Sequence, residues 1–155
     1  MIIWLASYPK SGNTWVRLFL DSLFITSNEF NINQNVIQQF PLRSNFNGLT
    51  GDVNNQKEFA KYCIPAQQII NSDKKTKIFK THNAFWNWNN GEFFFTDEEQ
   101  TLGVIHIVRD PRNIVTSILN YFHKQNYSNA IDFMKKNRVL GGDEDEHGLP
   151  TIIGS

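Results

Sequence analysis

Residues 7–15 read "SYPKSGNTW" and directly follow the apolar start "MIIWLA". A strand that turns tightly into a helix leaves the first N–H groups of the helix unpaired, and these groups attract anions together with the helix dipole. Gly12 would let the backbone approach an oxyanion closely. The side chains that add donors or positive charge are those of Lys10, Ser11, Asn13 and Thr14. The stretch therefore predicts a phosphate-binding loop.

The alternative is an ordinary strand-to-helix turn capped by Thr14, which would explain Gly12 and Thr14 but not Lys10 and Ser11. The loop also differs from the G-x-x-x-x-G-K-[ST] motif of nucleoside triphosphatases and kinases. No glycine precedes a lysine anywhere in the chain. The lysine here lies before the Ser-Gly pair, which indicates a different kind of phosphate loop.

A second cluster is "KTH", residues 80–82, at the end of a predicted strand. Residues two apart on a strand share a face, so Lys80 and His82 would point the same way. A histidine there can act as a general base, and a lysine can neutralise charge on a leaving group. A lysine and a histidine exposed to water at a strand end remain the alternative.

A third cluster is "VRDPRNIVTS", residues 108–117, at the end of another predicted strand. Arg109 can bind a phosphate through two hydrogen bonds, and Ser117 follows about two helical turns later. Alternatively, Ser117 is simply a solvated helix residue beside surface charges. Because the carboxyl ends of parallel strands meet at one edge, two anion sites there would suit a ligand with two separated phosphates.

The elements that must position these clusters alternate between strand and helix. Apolar runs predict buried strands at 2–7 and 103–108, and "KIFKTH" at 77–82 predicts a second short strand between them. Helical spacing predicts helices at 14–24, at 56–70 with a break or kink at Pro65, from Pro111 to 124, and from Ser128. This order predicts an α/β fold, a three-layer αβα arrangement around a parallel sheet.

Composition narrows the function further. The chain has 155 residues, with 15 Lys and Arg against 15 Asp and Glu, which suits one domain and argues against broad binding of nucleic acids or membrane surfaces. A single cysteine, Cys63, excludes a disulfide framework and a cysteine zinc site. No apolar stretch has the ~20 residues of a membrane span, so we expect a soluble, cytoplasmic protein.

Taken together and in this order, "YPKSGNTW", "FKTH" and "VRDPRNIVTS" resemble the motifs of sulfotransferases that use 3′-phosphoadenosine-5′-phosphosulfate (PAPS). The resemblance implies a fold like that of P-loop nucleoside triphosphate hydrolases. It also implies transfer of a sulfuryl group by in-line displacement to a hydroxyl or amine of a small-molecule or glycan acceptor. A sulfuryl group carries less negative charge than a phosphoryl group, so no metal is expected.

The resemblance assigns roles to individual residues. His82 would be the general base, while Lys10 and Lys80 would stabilise the transferred group and the leaving phosphate. Arg109 and Ser117 would bind the 3′-phosphate. The residues that would bind the 5′-phosphosulfate are Lys10, Ser11, Gly12, Asn13 and Thr14, with Trp15 stacking near the nucleotide.

The sequence departs from the family pattern at several points, so alternative functions stay open. Asn13 stands where many relatives have Thr, and Ala84 stands where they often have Pro. The resemblance covers about residues 2–125, which predicts a single, C-terminally incomplete sulfotransferase domain lacking the segment that closes over the nucleotide. A non-catalytic nucleotide-binding remnant and a P-loop kinase are the alternatives. The acceptor and the oligomeric state cannot be read from the sequence.

Overall fold

The structure is a computed structural model that describes residues 1–24, 36–49, 52–85, 87–88, 93–136, 138–140 and 151–153. In chain order the elements are β1 (Ile2–Ser7), α1 (Asn13–Phe24), a 3₁₀ helix (Arg43–Phe46), α2 (Gln56–Asn71), β2 (Lys77–Thr81), β3 (Asn87–Trp88), β4 (Phe93–Phe94), β5 (Thr101–Ile107), α3 (Pro111–Tyr121), α4 (Tyr127–Met134), β6 (Arg138–Leu140) and β7 (Thr151–Ile153). Strands and helices alternate, so the predicted α/β fold is confirmed.

The main described sheet has three parallel strands in the order β2-β1-β5. The first strand of the chain is therefore central, and Trp4 pairs with Phe79 on one side and Val104 on the other. All three carboxyl ends lie at one edge. The loops after β1, β2 and β5, which carry the three predicted clusters, consequently start from the same edge of the sheet.

One face of the sheet holds an aromatic core around the indole of Trp4, which is 2% exposed. Its ring centroid lies 5.1 Å from that of Phe95, 5.6 Å from that of Phe40 and 6.3 Å from that of Phe79. The indole Nε1 donates a 2.9 Å hydrogen bond to Thr101 Oγ1 at the start of β5. Trp4 therefore ties the central strand to both of its neighbours.

Helix α2 packs on this core and runs from Gln56 to Asn71 without ending at Pro65. Of the two predicted outcomes at that proline, a break and a kink, the break is wrong. Proline removes one backbone hydrogen bond, but apolar residues on both sides of it are buried against the same core and hold the helix in place. These residues are Phe59, Ala60, Cys63 and Ala66.

The prediction that β5 is a buried strand is also wrong for the described residues. Leu102, Val104 and Ile105 are 54%, 58% and 42% exposed. The physical reason is position: β5 is the edge strand of the described sheet, and no described helix covers its outer side chains. On α1, Trp15 and Phe19 are exposed in the same way, although the helix itself forms as predicted.

Helices α3 and α4 pack together in a second cluster with Ile153 of β7. Pro111 is the first residue of α3, as predicted, and α4 begins at Tyr127, one residue before the expected start. Among the described residues, no helix combines the length and the apolar character that a membrane crossing requires.

Candidate functional site

The loop after β1 has the backbone of an anion-binding turn. Lys10 has a φ of 69° and Gly12 a φ of 101°, so two left-handed residues flank Ser11. Alternation of right- and left-handed residues points successive N–H groups into one concavity. Nothing lies within 4 Å of the place where a Cβ of Gly12 would stand, so its positive φ, not crowding, requires glycine.

The first turn of α1 opens onto this concavity. Trp15 and Val16 donate their N–H groups to Gly12 O at 3.0 and 3.3 Å. Within the described residues, the N–H groups of Asn13 and Thr14 have no backbone acceptor, and no acidic residue lies in the first turn of the helix. The positive end of the α1 dipole is therefore left for an external anion.

The side chain of Asn13 points away from this concavity. Its Nδ2 donates to Leu5 O and to Ser7 Oγ, both at 3.0 Å, and the residue is 3% exposed. Both amide hydrogens are thereby used inside the protein. The side-chain donor expected here for the phosphosulfate is not available, and a contact through the backbone N–H of Asn13 stays a prediction.

His82 follows β2, and its side chain contacts Ser7 at the end of β1. Its Nδ1 lies 2.9 Å from Ser7 O and 3.2 Å from Ser7 Oγ. A carbonyl oxygen can only accept, so Nδ1 carries the proton and Nε2 is the free, basic nitrogen. Asn13 donates a hydrogen bond to Ser7 Oγ and so holds Ser7, the residue that orients the imidazole, in place. The free Nε2 of His82 can therefore accept a proton.

Burial lowers the pKa of His82 from 6.5 to about 4, and the charges of Lys80, Arg17 and Lys10 act in the same direction. The hydrogen bond to Ser7 O opposes this shift but does not cancel it. The imidazole is consequently neutral at physiological pH. An imidazole has to be unprotonated before it can act as a general base.

This shift predicts an acid-labile fold. Because the pKa of His82 is lower in the folded protein than in the unfolded chain, the unfolded chain binds more protons between pH 6.5 and about 4. The free energy of unfolding should therefore fall as the pH falls through this window, by at most about 2–3 kcal/mol from this residue. Urea titrations of the wild type and His82→Gln at pH 7 and 4.5 measure it. An equal loss in both proteins would contradict the assignment.

Lys80 occupies the adjoining position on the outer side of β2. Its Nζ donates a 2.9 Å hydrogen bond to Gln39 Oε1, and Gln39 forms an isolated parallel bridge with the Lys80 backbone. Burial, followed by repulsion from Arg17, lowers the pKa of Lys80 to about 8. Lys80 is thus charged at neutral pH, and a nearby anion would stabilise its charged form.

On the other side of β1, Arg109 reaches the loop directly. Its Nη1 donates to Lys10 O at 3.1 Å, which places the two predicted anion-binding segments side by side. The Lys10 Nζ lies 3.8 Å from the centre of the Tyr121 ring of α3. To contact a transferred group directly, the side chain of Lys10 has to move away from the Tyr121 ring.

The neighbouring Arg112 differs from Arg109 because its guanidinium is already occupied. It makes a 2.6 Å ion pair and further hydrogen bonds with Asp110, the residue that caps α3. This pair raises the pKa of Arg112 and lowers the pKa of Asp110. Arg109 is thus the arginine of this segment that remains available to a ligand.

The other predicted residues lie around the same edge. Ser11 is 6% exposed within the loop, Thr14 is exposed on the first turn of α1, and Trp15 is 74% exposed. Ser117 is half-buried on α3 between the buried Ile114 and Ile118. Among the described residues, Ser117 has no hydrogen-bond partner that would define its role, so its contact with a 3′-phosphate stays a prediction.

Sequence reasoning missed four residues of this site: Ser7, Arg17, Gln39 and Tyr121. Ser7 is the polar last residue of the apolar strand, and Arg17 lies four residues after Asn13. The i, i+4 spacing of Asn13 and Arg17 was the available signal. Across the described part of the chain, no group of three or more His, Cys, Asp or Glu residues could hold a metal ion.

Comparison with known proteins gives one positive result. The family model described as "Sulfotransferase domain" matches residues 2–147, which include the three clusters at this edge of the sheet. No curated protein and no solved structure matches the chain.

Proposed function

Because the chain belongs to the sulfotransferase family, we propose that it transfers a sulfuryl group from PAPS to a hydroxyl or amine of its acceptor. The observation that carries this proposal is the pairing of an anion-binding loop with an oriented, neutral imidazole at one sheet edge. Ser7 provides the link, since it ends β1 immediately before the loop and also accepts the hydrogen bond from His82 Nδ1.

The residues present suit an adenosine donor with phosphates on both the 3′ and the 5′ oxygens of its ribose. The N–H groups of Asn13 and Thr14 are open at the 5′ side, and Gly12 leaves space above them. Arg109, held against Lys10 O, offers its remaining donors at the 3′ side. PAPS supplies the activated sulfuryl group, and the chain supplies binding, orientation and charge.

In the proposed reaction, His82 Nε2 takes the proton of the acceptor hydroxyl or amine as that group attacks sulfur. The new bond to sulfur forms as the bond between sulfur and the phosphate oxygen breaks. Negative charge then accumulates on the departing phosphate, where Lys80, the α1 dipole and a reoriented Lys10 stabilise it. His82 can accept this proton because its lowered pKa keeps the imidazole unprotonated before the step.

Isothermal titration with adenosine 3′,5′-bisphosphate tests the donor assignment. We expect wild-type protein to bind the bisphosphate more tightly than adenosine 5′-monophosphate, without magnesium. Arg109→Gln should weaken bisphosphate binding by roughly 10- to 100-fold, because a charge-assisted hydrogen bond is worth about 1.5–3 kcal/mol. Its effect on the monophosphate should be small.

Arg112→Gln is the matched control, since its guanidinium is held by Asp110 and its loss should leave bisphosphate affinity within about twofold. Magnesium-dependent binding of ATP in preference to the bisphosphate would contradict the proposal and favour a kinase. Tight bisphosphate binding without any sulfuryl transfer would instead indicate a nucleotide-binding remnant.

A further inference from the structure

Arg17 lies in the middle of a polar stripe on α1. Asn13, Arg17 and Asp21 are four residues apart and therefore share one face of the helix. Asn13 donates to Leu5 O of β1, and Asp21 Oδ1 accepts a 3.0 Å hydrogen bond from Ile37 N. This face is consequently turned toward the sheet and the segment at residues 37–39, and Arg17 points the same way.

Three basic groups meet there. Lys80 is tied to Gln39 by a 2.9 Å hydrogen bond, and the charge of Arg17 lowers the pKa of both Lys80 and His82. Arg17, Lys80, Gln39 and His82 therefore lie close together on the β2 side of the loop. We call this group of four residues the cationic recess.

Among the described side chains, Asp21 is the acidic group that acts on Arg17, so one carboxylate faces the two cations Arg17 and Lys80. The Nε of Arg17 is buried and has no hydrogen-bond partner among the described residues. Burial lowers the pKa of Arg17, and Asp21, which acts against this shift, already holds the backbone of Ile37. A buried donor without a partner and two neighbouring cations are both costly, and a bound anion would relieve both costs.

The strand order indicates which ligand this anion belongs to. Because β1 is central, Arg109 after β5 lies on one side of the Lys10 loop, and Lys80 with Arg17 lies on the other. A donor that spans the loop and Arg109 reaches Lys80 through its departing phosphate and leaves Arg17 free. His82, which receives the proton of the acceptor in the proposed function, borders this recess.

We propose that the acceptor carries its own carboxylate, which Arg17 binds in the cationic recess. A guanidinium matches a carboxylate through two parallel hydrogen bonds, and a side chain with an unpaired Nε has the donors for it. The proposal rests on the sulfuryl transfer described above. It makes Arg17 a residue that determines acceptor specificity.

The test measures acceptor binding to the protein saturated with adenosine 3′,5′-bisphosphate, where no transfer takes place. The probes are p-nitrophenyl β-D-glucuronide and p-nitrophenyl β-D-glucoside, which differ at the sugar carboxylate. We expect the glucuronide to bind wild type at least tenfold more tightly. Arg17→Gln should abolish this preference, Arg17→Lys should keep part of it, and Arg112→Gln should leave it intact.

Bisphosphate affinity, measured first in each variant, separates the possible failures. An unchanged bisphosphate affinity in Arg17→Gln together with a lost glucuronide preference supports the proposal. Equal binding of both probes to wild type, or no binding of either while the bisphosphate binds, overturns it. Loss of bisphosphate binding in Arg17→Gln also overturns it, since Arg17 would then serve the donor. If wild type does not bind the bisphosphate, the proposed function itself fails.

Discussion

Replacing His82 by alanine is expected to lower kcat for sulfuryl transfer by about 10²–10⁴-fold, the usual contribution of a positioned general base. The reason is structural as well as chemical. Ser7 O holds Nδ1, so Nε2 is the nitrogen free to accept a proton, and burial with neighbouring positive charge keeps the ring neutral. Alanine removes this base and leaves the donor loop in place.

The measurement is single-turnover sulfuryl transfer with saturating donor, accompanied by titration with adenosine 3′,5′-bisphosphate. Bisphosphate affinity in His82→Ala should stay within about threefold of wild type, because the imidazole contacts the end of β1 and not the open N–H groups of the loop. His106→Ala is the matched control, since His106 is exposed on β5. A fall in kcat of less than tenfold in His82→Ala would remove His82 as the base.

Much of the architecture followed from the sequence because its signals are local. Apolar runs indicated β1 and β5, the short stretch "KIFKTH" indicated β2, and Pro111 marked the first residue of α3. The short spacing between strand and helix in residues 7–15 was enough to predict the loop. Parallel pairing then brought the loop, His82 and Arg109 to one edge, as strand–helix alternation requires.

What the sequence could not supply depends on tertiary packing. Pro65 lies inside α2 because the residues around it are buried against the aromatic core, an effect that local propensity does not contain. The exposure of Val104 depends on the position of β5 in the sheet, which an apolar run does not reveal.

A sequence motif also does not reveal the direction in which a side chain points. Asn13 looked like a ligand donor by its place in the loop, yet its amide bonds Leu5 O and Ser7 Oγ. Nothing in the sequence singled out Arg17, yet the same face of α1 places it near Lys80. In each case the face of the helix, which is fixed only when α1 packs on the sheet, decided the role.

The Trp4→Ala substitution is expected to lower the free energy of unfolding by about 3–5 kcal/mol. Trp4 is 2% exposed, its ring packs against three phenylalanines, and its Nε1 bonds Thr101. Alanine would leave a cavity between β1 and α2 and would remove one of the two hydrogen bonds of the Thr101 hydroxyl, which Thr96 Oγ1 would still hold. Urea denaturation followed by far-ultraviolet circular dichroism measures the loss without relying on tryptophan fluorescence.

Trp15→Ala is the matched control, because Trp15 is 74% exposed and its loss should change stability by no more than about 0.5 kcal/mol. Trp4→Phe should fall between the two, since it keeps ring packing but loses the bond to Thr101. A loss below about 1 kcal/mol in Trp4→Ala would mean that the core does not depend on this indole. Because Trp4 joins the strand that ends at Ser7 to the strand that ends before His82, the same variant should also weaken the register on which the proposed base depends.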